Sequence, residues 1–222
     1  MKTSKDAPTT SLLDYPRPSV AVDTAVLTVA DGRLQVLLVR RGKEHHHGEW
    51  ALPGTFLRER EKLADAVLRS LREKAGISGQ VPRQLQVFDD PERDDRGWVL
   101  SVAHVDVVPL AELEDALESD GVRLASVVGE PKVVAGLPYG HAEIVAKAVE
   151  WLRDAYAEAP DPGTLLEEPF TLKELRDLHE VVAGASLMRD TFRRFMEPQL
   201  AGTGQMSDGT RGRPSRLWRR SA

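Results

Sequence analysis

Five polar side chains between residues 61 and 74 have the spacing of a metal-dependent hydrolytic site. They are Glu61, Arg69, Ser70, Glu73 and Lys74. Positions 70, 73 and 74 are three and four residues apart, so a helix places them on a shared face. Carboxylates on such a face can hold Mg²⁺, which bridges a diphosphate and activates the attacking water. Here the face carries serine, glutamate and lysine, and its formal charge is near zero.

A loop containing Gly54 and the helix after it must position these side chains. A helix from about residue 62 to residue 75 gathers its apolar residues on a separate stripe. The stripe consists of Leu63, Ala66, Val67 and Leu71. The alternative is an ordinary amphipathic surface helix, for which this mixture of charged residues is common.

The segment 52–77 resembles a Nudix box. Three polar positions match the box, namely Glu61, Arg69 and Glu73. Two positions stand where further glutamates are usual, namely Ser70 and Lys74. The resemblance implies a pyrophosphate-hydrolase scaffold without catalytic residues. A lysine ammonium repels Mg²⁺ and attracts phosphate, so we expect nucleotide binding without cleavage, and no metal site.

Composition indicates a cytoplasmic protein with one ample domain and a small second one. The 222 residues include no cysteine, which excludes disulfides and thiolate metal sites. The sequence shows no long apolar run and no signal-peptide pattern. The formal charge is -5, yet the last stretch is rich in arginine. An acidic body with a basic end is typical of a regulator with a local DNA contact.

Hydrophobic patterning predicts strands and a long helix, followed by a break. The predicted elements are a hairpin of Ser19–Thr28 and Leu34–Val39, strands Leu85–Phe88 and Val99–Val108, and a helix His141–Tyr156. The hairpin turns at Asp31-Gly32. Two prolines and a glycine within 157–163 then predict a linker or a sharp junction.

A helical unit is predicted after the break. Thr171 and Glu174 form a capping box, and the helix continues to Gly184. In the next helix, the spacing predicts that Phe192, Phe195 and Met196 are core residues. The arginines predicted to face DNA are Arg189, Arg193 and Arg194 on that helix, with Arg213 and Arg216 on a basic wing formed by a hairpin of 202–218. The alternative is a small helical dimerisation cap with solvated arginines.

The order of these motifs resembles the Nudix-related transcriptional regulators of NAD metabolism, the NrtR family. The resemblance runs from about Pro18 to Arg219. Its motifs are Trp50-Ala51-Leu52-Pro53-Gly54, the segment 88–97, Phe170-Thr171-Leu172, Phe192-Arg193-Arg194 and Gly212-Arg213-Pro214.

The resemblance implies an α+β protein, in which a Nudix-fold α/β/α sandwich with a mixed sheet precedes a C-terminal winged helix-turn-helix domain. The expected boundaries are a flexible segment 1–17, a sensor domain 18–157, a linker 158–169 and a DNA-binding domain 170–222. Members of the family are homodimers that repress NAD-biosynthesis genes and respond to ADP-ribose or a related nucleotide. We therefore expect an effector, no cofactor, and a pseudo-palindromic DNA operator.

Candidate ligand-binding residues are basic side chains near the box, because guanidinium groups match phosphate oxygens. They are Arg40, Arg41, Lys74, Arg93 and Arg96. Two alternatives stay open. Arg40 and Arg41 could be a solvated strand end, and Arg93 and Arg96 could form salt bridges within their own acidic loop.

Three departures from the family pattern bear on which nucleotide is the effector. Thr55 replaces a usual second glycine, Gly140 precedes His141 where an aspartate is usual, and residues 45–47 are three consecutive histidines. Imidazoles could clip a metal ion. Consecutive side chains alternate in an extended chain, however, so we expect an exposed loop.

The alternative function is an active Nudix hydrolase of ADP-ribose, or of another nucleoside diphosphate derivative, with an accessory domain. Glu61 and Glu73 support it, since two carboxylates can hold Mg²⁺ weakly. A third interpretation is an interaction protein that does not bind DNA.

Overall fold

The computed structural model describes residues 11, 14–42, 45–127, 134–208 and 214–221. The strands of the larger sheet are β1 (Ser19–Ala30), β2 (Arg33–Arg40), β3 (Trp50–Ala51), β4 (Gly54–Phe56), β5 (Arg83–Phe88), β6 (Val99–Val107) and β7 (Val122–Ser126). The helices of this part are α1 (Leu63–Ser70), α2 (Glu114–Leu117) and α3 (His141–Glu158). Among the described residues, no helix is both long enough and apolar enough to cross a membrane.

The larger sheet is mixed and is covered on both faces. Its order is β3-β2-β1-β6-β5, with β4 beside β1 and β7 beside β2. Strand β1 runs parallel to β6 and antiparallel to β2. Because side chains alternate along a strand, Ala25 and Leu27 pack towards α3, whereas Val22 and Val26 pack towards α1. The predicted α/β/α sandwich with a mixed sheet is confirmed.

The predicted hairpin is also present. Asp31 and Gly32 have φ values of 51° and 66°, and Ala30 pairs with Arg33. Positive φ at both turn residues matches the twist of the flanking strands, which explains the Asp-Gly pair. The predicted strands before and after residues 89–97, and the helix that begins at His141, are confirmed within a few residues.

The C-terminal unit is a winged helix. Its elements are β8 (Phe170–Thr171), α4 (Leu172–Ala183), α5 (Arg189–Met196), β9 (Leu200–Met206) and β10 (Arg216–Arg220). Strands β9 and β10 pair antiparallel as the predicted wing, and β8 joins them in a three-stranded sheet. Thr171 and Glu174 form the predicted capping box, and Gly184 ends α4 with a φ of 70°. The wing tip, 209–213, lies outside the described residues, and so does most of the predicted flexible segment 1–17.

The segment predicted as a linker is a packed junction. Helix α3 ends at Glu158, and the carboxylate of Asp161 shortly after it is fully buried. Tyr156 Oη donates a hydrogen bond of 2.6 Å to this carboxylate, and the amides of Leu165 and Leu166 each donate one of 2.9 Å. The Arg220 guanidinium from the end of the wing also pairs with it.

Two details of the helices differ from the prediction. The helix of the box does not stay α-helical to residue 75, because Leu71–Ala75 forms a π-helical turn. In α5, Phe192 and Met196 are buried with Phe170, but the expected core residue Phe195 is 53% exposed. Phe195 is turned about 100° from Met196 around the helix, which takes its ring off the buried side.

Candidate functional site

One cavity of about 400 Å³ brings the predicted ligand-binding residues together. Its walls include Arg40, Arg41, Lys74, Arg93 and Arg96, all five of the basic side chains proposed from the sequence. Arg40 and Arg41 lie at the end of β2, and Arg93 and Arg96 lie in the loop between β5 and β6. Lys74 lies on the π-helical turn. Their role in binding a ligand stays a prediction.

The floor of the cavity is a buried carboxylate that the sequence reasoning missed. Asp23 lies in β1, where Ser101 Oγ donates a hydrogen bond to it and Arg93 Nη2 lies 3.8 Å away. His141 Nδ1 accepts from the Leu52 amide at 3.0 Å, which leaves the proton on Nε2, 3.3 Å from Asp23 Oδ1. Burial raises the pKa of Asp23, but its interactions with His141, and then with Ser101 and Arg93, bring the pKa below its ordinary value.

A carboxylate inside an apolar strand was the available signal for Asp23, since buried charges are paired. Its neighbour Gly54 is fixed by the same packing. A Cβ at position 54 would collide with the Asp23 carboxylate, so the glycine of the loop is required for close approach of the two chains.

Stacked cations and rings line the other wall. The Arg96 guanidinium lies 4.7 Å from the ring centre of Tyr139 and 5.2 Å from that of Phe56. Arg41 lies over Tyr139 at 4.8 Å. Arg96 also donates two hydrogen bonds, of 2.9 and 2.7 Å, to Asp94. The sequence left two alternatives for Arg96, a salt bridge within its own loop and a place in the cavity wall. Arg96 does both.

Glu61 and Arg69 have a structural role. Arg69 Nε and Nη2 donate to the two oxygens of Glu61 at 2.7 and 2.8 Å. The guanidinium also donates to Thr55 Oγ1 and to the Phe56 carbonyl. The hydrogen bonds from Arg69, and then the one from the Arg58 amide, lower the pKa of Glu61 to about 2. Glu61 thus ties the loop that carries Gly54 to α1.

The expected shared face of Ser70, Glu73 and Lys74 is wrong. Ser70 is 1% exposed, and its hydroxyl has no hydrogen-bond partner among the described residues. Ser70 follows Ala66 and Val67 by four and three positions, so it continues the buried stripe of α1. Glu73 and Lys74 are exposed on the π-helical turn.

The cavity is therefore poor in the carboxylates of the box. Lys74 lines the cavity, whereas Glu61, Ser70 and Glu73 do not. Glu73 instead lies 3.8 Å from both Arg58 and Arg69. Lys74, at the position of the box where a glutamate is usual, thus brings a cationic group to the cavity wall.

The predicted DNA-facing arginines on α5 are exposed. Arg189, Arg193 and Arg194 lie away from the buried pair Phe192 and Met196. Arg193 forms an ion pair with Glu197, four residues later. Arg216 is exposed at the start of β10, and Arg213 lies outside the described residues. DNA contact by these side chains stays a prediction.

Comparison with known proteins assigns both halves. Residues 18–152 match the NUDIX domain, and residues 162–220 match the NrtR DNA-binding winged helix domain. The chain belongs to the NrtR family of Nudix-related transcriptional regulators. It is 30% identical over 213 residues to the ADPR responsive transcriptional repressor NtrR of Acinetobacter baylyi, covering 93% of this chain and 83% of that protein.

One solved structure of an NrtR protein matches both domains of the chain, and another matches the Nudix domain alone. Shewanella oneidensis NrtR complexed with a 27mer DNA matches with a TM-score of 0.78 and 31% identity, over 91% of this chain and 93% of that one. The NUDIX domain of the same protein complexed with ADP ribose matches with a TM-score of 0.54 and 26% identity, over 65% and 94%.

The histidine loop of this NrtR-family member is a turn. His46 has a φ of 59° and Gly48 one of 80°. The argument from an extended chain is therefore wrong, because a left-handed residue breaks the alternation of side chains. The rings of His45 and His46 lie 4.6 Å apart, edge to face.

Proposed function

We propose that this chain is a DNA-binding transcriptional repressor whose degenerate Nudix domain senses ADP-ribose, or a related nucleotide, without cleaving it. The observation that carries the proposal is the single cavity into which the five basic side chains converge, with Lys74 where a hydrolase has a metal-binding glutamate. The Acinetobacter relative is an ADPR responsive transcriptional repressor, which supports repression and a response to ADP-ribose.

A nucleoside diphosphate sugar fits the chemistry of the cavity. The volume of the cavity lies within the range of small-molecule sites, about 300 to 1,000 Å³. Guanidinium groups and Lys74 can pair with the diphosphate. The rings of Tyr139 and Phe56 offer apolar faces to a base or a ribose, and Asp23 on the floor can accept a hydroxyl hydrogen bond.

Cleavage lacks its metal ligands. Hydrolysis of a diphosphate by this type of scaffold needs carboxylates that hold Mg²⁺ against the phosphates. Glu61 is engaged by Arg69, Glu73 lies near Arg58 and Arg69, and Lys74 repels a dication. We therefore expect negligible turnover of ADP-ribose with Mg²⁺ or Mn²⁺.

DNA recognition is assigned to α5 and the wing. The Shewanella relative was solved with a 27mer DNA, which supports the same use of this winged helix. As a homodimer, the chain would present two copies of α5 to a pseudo-palindromic operator. Its half-sites would be spaced by about 10 base pairs per helical turn.

The test is a gel shift with DNA taken upstream of the protein's own gene and with unrelated DNA of the same length. Retardation of the upstream DNA alone supports the proposed repressor function, and equal affinity for both DNAs contradicts it. A parallel assay of ADP-ribose with Mg²⁺ tests the alternative, an active hydrolase, which Glu61 and Glu73 keep open. Turnover on the order of 1 per second would establish that alternative.

A further inference from the structure

We propose that His45, His46 and Asp95 bind a divalent transition-metal ion beside the cavity, since they are close in sequence to Arg41, Asp94 and Arg96, which line it. Each of the three offers a ligand atom, and these atoms all lie within 4.8 Å of one another. His45 Nε2 is 3.5 Å from Asp95 Oδ2. These separations suit an ion that binds nitrogen and oxygen ligands at about 2.0 to 2.2 Å, once the side chains have rotated towards it.

The backbone brings the ligands together without help from the metal. The left-handed φ of His46 folds the chain between β2 and β3 into a turn, so its ring approaches that of His45. Arg41 Nε donates a 2.9 Å hydrogen bond to the His45 carbonyl, and the ring of Tyr139 meets that of His46 at 5.0 Å. These contacts hold the turn against the cavity wall.

A fourth group, Glu49, has the place of an outer-shell partner. Its Oε2 lies 3.0 Å from His46 Nδ1. A histidine that binds a metal through one ring nitrogen usually engages a carboxylate or a carbonyl with the other, which fixes the ring and increases its basicity. Glu49 therefore leaves His46 Nε2 for the ion.

The charges at the site can accommodate a dication. Asp95 and Glu49 supply two negative charges, which offset the positive charge of the nearby Arg41, whose guanidinium lies over Tyr139. Arg96 is also neutralised by the paired carboxylate of Asp94.

The ligand set selects the metal. Imidazole nitrogens favour Zn²⁺, Ni²⁺ and Co²⁺, whereas Mg²⁺ prefers oxygen ligands. The site is separate from the degenerate box, since Glu61 and Glu73 take no part in it. Its effect would be to join the β2–β3 loop to the loop between β5 and β6.

The experiment is a calorimetric titration of the full chain, freed of any affinity tag, with Ni²⁺ and separately with Zn²⁺. We expect saturable binding of one ion per chain. His45→Ala and Asp95→Ala should each weaken it by about tenfold or more, and Glu49→Gln by a similar factor. The matched control is His47→Ala, since His47 is an exposed histidine in the same turn and is not part of the cluster.

Two outcomes would overturn the site. The first is the absence of saturable binding, and the second is an equal loss of affinity in His47→Ala, which would indicate unspecific binding by surface histidines. Hydrogen exchange gives an independent measurement, because Ni²⁺ should slow the amides of 45–49 and 94–97 in the unmodified chain. Unchanged exchange in both segments would show that the ion does not join the two loops.

Discussion

Lys74 lies at the edge of the cavity, on the turn where related hydrolases carry a metal-binding glutamate. Its ammonium group is exposed and faces the same space as the guanidiniums of Arg40 and Arg96. A charge-assisted hydrogen bond to phosphate is worth about 1.5 to 3 kcal/mol. We propose that this lysine binds the phosphate directly, at a position where a glutamate would hold a metal.

We expect Lys74→Ala to weaken ADP-ribose binding by about tenfold, because one phosphate contact is lost. Isothermal titration measures the affinity. Arg72→Ala is the matched control, since Arg72 is exposed on the same turn but does not line the cavity. Equal losses in both variants would mean that general surface charge, and not a phosphate contact, determines the affinity.

The ion pair of Glu61 and Arg69 should make stability sensitive to acid. The pKa of Glu61 is lowered from 4.5 to about 2 in the folded protein, so the unfolded chain binds a proton first. This stabilisation is complete above about pH 4.5 and is lost as the pH falls towards 2.

Unfolding followed by circular dichroism between pH 2 and 5 should therefore show a shallower pH dependence in Glu61→Gln than in the unmodified chain. Glu59→Gln, an exposed neighbour, is the control and should keep the original dependence. A pH dependence that Glu61→Gln leaves unchanged would remove Glu61 from this role.

Sequence alone located the box and the five basic residues of the cavity, because residue type and spacing carry that information. It did not reveal that Ser70 is buried. The spacing from Ala66 and Val67 places Ser70 on the buried stripe, whereas the match to the Nudix box places it on a catalytic face. Asp23 was missed because its partners, His141 and Ser101, are distant in the chain and only the fold brings them near.

Among the elements, helix α5 carries the arginines that are predicted to contact DNA. Its buried side is formed by Phe192 and Met196, and its arginines face outward. The exposed Phe195 lies on the same helix and adds an apolar side chain to this surface.

Reversing both Arg193 and Arg194 to glutamate should abolish specific DNA binding in a gel shift, because repulsion from phosphates replaces attraction. The ADP-ribose-dependent rise in melting temperature should persist, since the cavity lies in the other domain. Lys173→Glu is the control; it reverses an exposed charge on α4 and should retain most of the affinity. Unchanged DNA binding by the double variant would leave α5 without its assigned role.

The elements that the sequence predicted best were those with strong local signals, such as the Asp31-Gly32 hairpin and the capping box at Thr171. The histidine turn was not predicted, because the positive φ of His46 has no marker in the sequence such as glycine. The π-helical turn after Ser70 was missed for a similar reason, since the periodicity of a few residues does not distinguish it from an α-helix.

At the scale of the whole molecule, Asp161 connects the two domains. Tyr156 belongs to the last helix of the sensor domain, and Arg220 to the last strand of the wing. Both contact the Asp161 carboxylate. Burial lowers the pKa of His179 to about 4, so its ring is neutral near pH 7 and can accept the 3.4 Å hydrogen bond from the Asp161 amide.

The hydrophobic core also crosses the junction. Leu178 and Val182 of α4 belong to the same buried cluster as Leu152 and Tyr156 of α3. The sensor domain and the winged helix are therefore joined by packed side chains of α3 and α4 as well as by the contacts of Asp161.

Arg220→Ala should destabilise the chain by on the order of 3 kcal/mol, because it removes the cation paired with the fully buried Asp161. Denaturant unfolding measures the loss. Arg219→Ala, an exposed neighbour on the same strand, should change stability by less than about 0.5 kcal/mol. Equal effects of the two substitutions would show that the junction does not depend on this ion pair.

The most direct measurement of the central claim combines DNA binding and ligand fate in one sample. Fluorescence anisotropy of labelled upstream DNA is recorded with and without ADP-ribose in the presence of Mg²⁺, and the nucleotide is then quantified by chromatography. The account predicts that ADP-ribose changes the DNA affinity by about fivefold or more and is recovered intact. A DNA affinity that does not respond to ADP-ribose, or consumption of the nucleotide at about 1 per second, would contradict it.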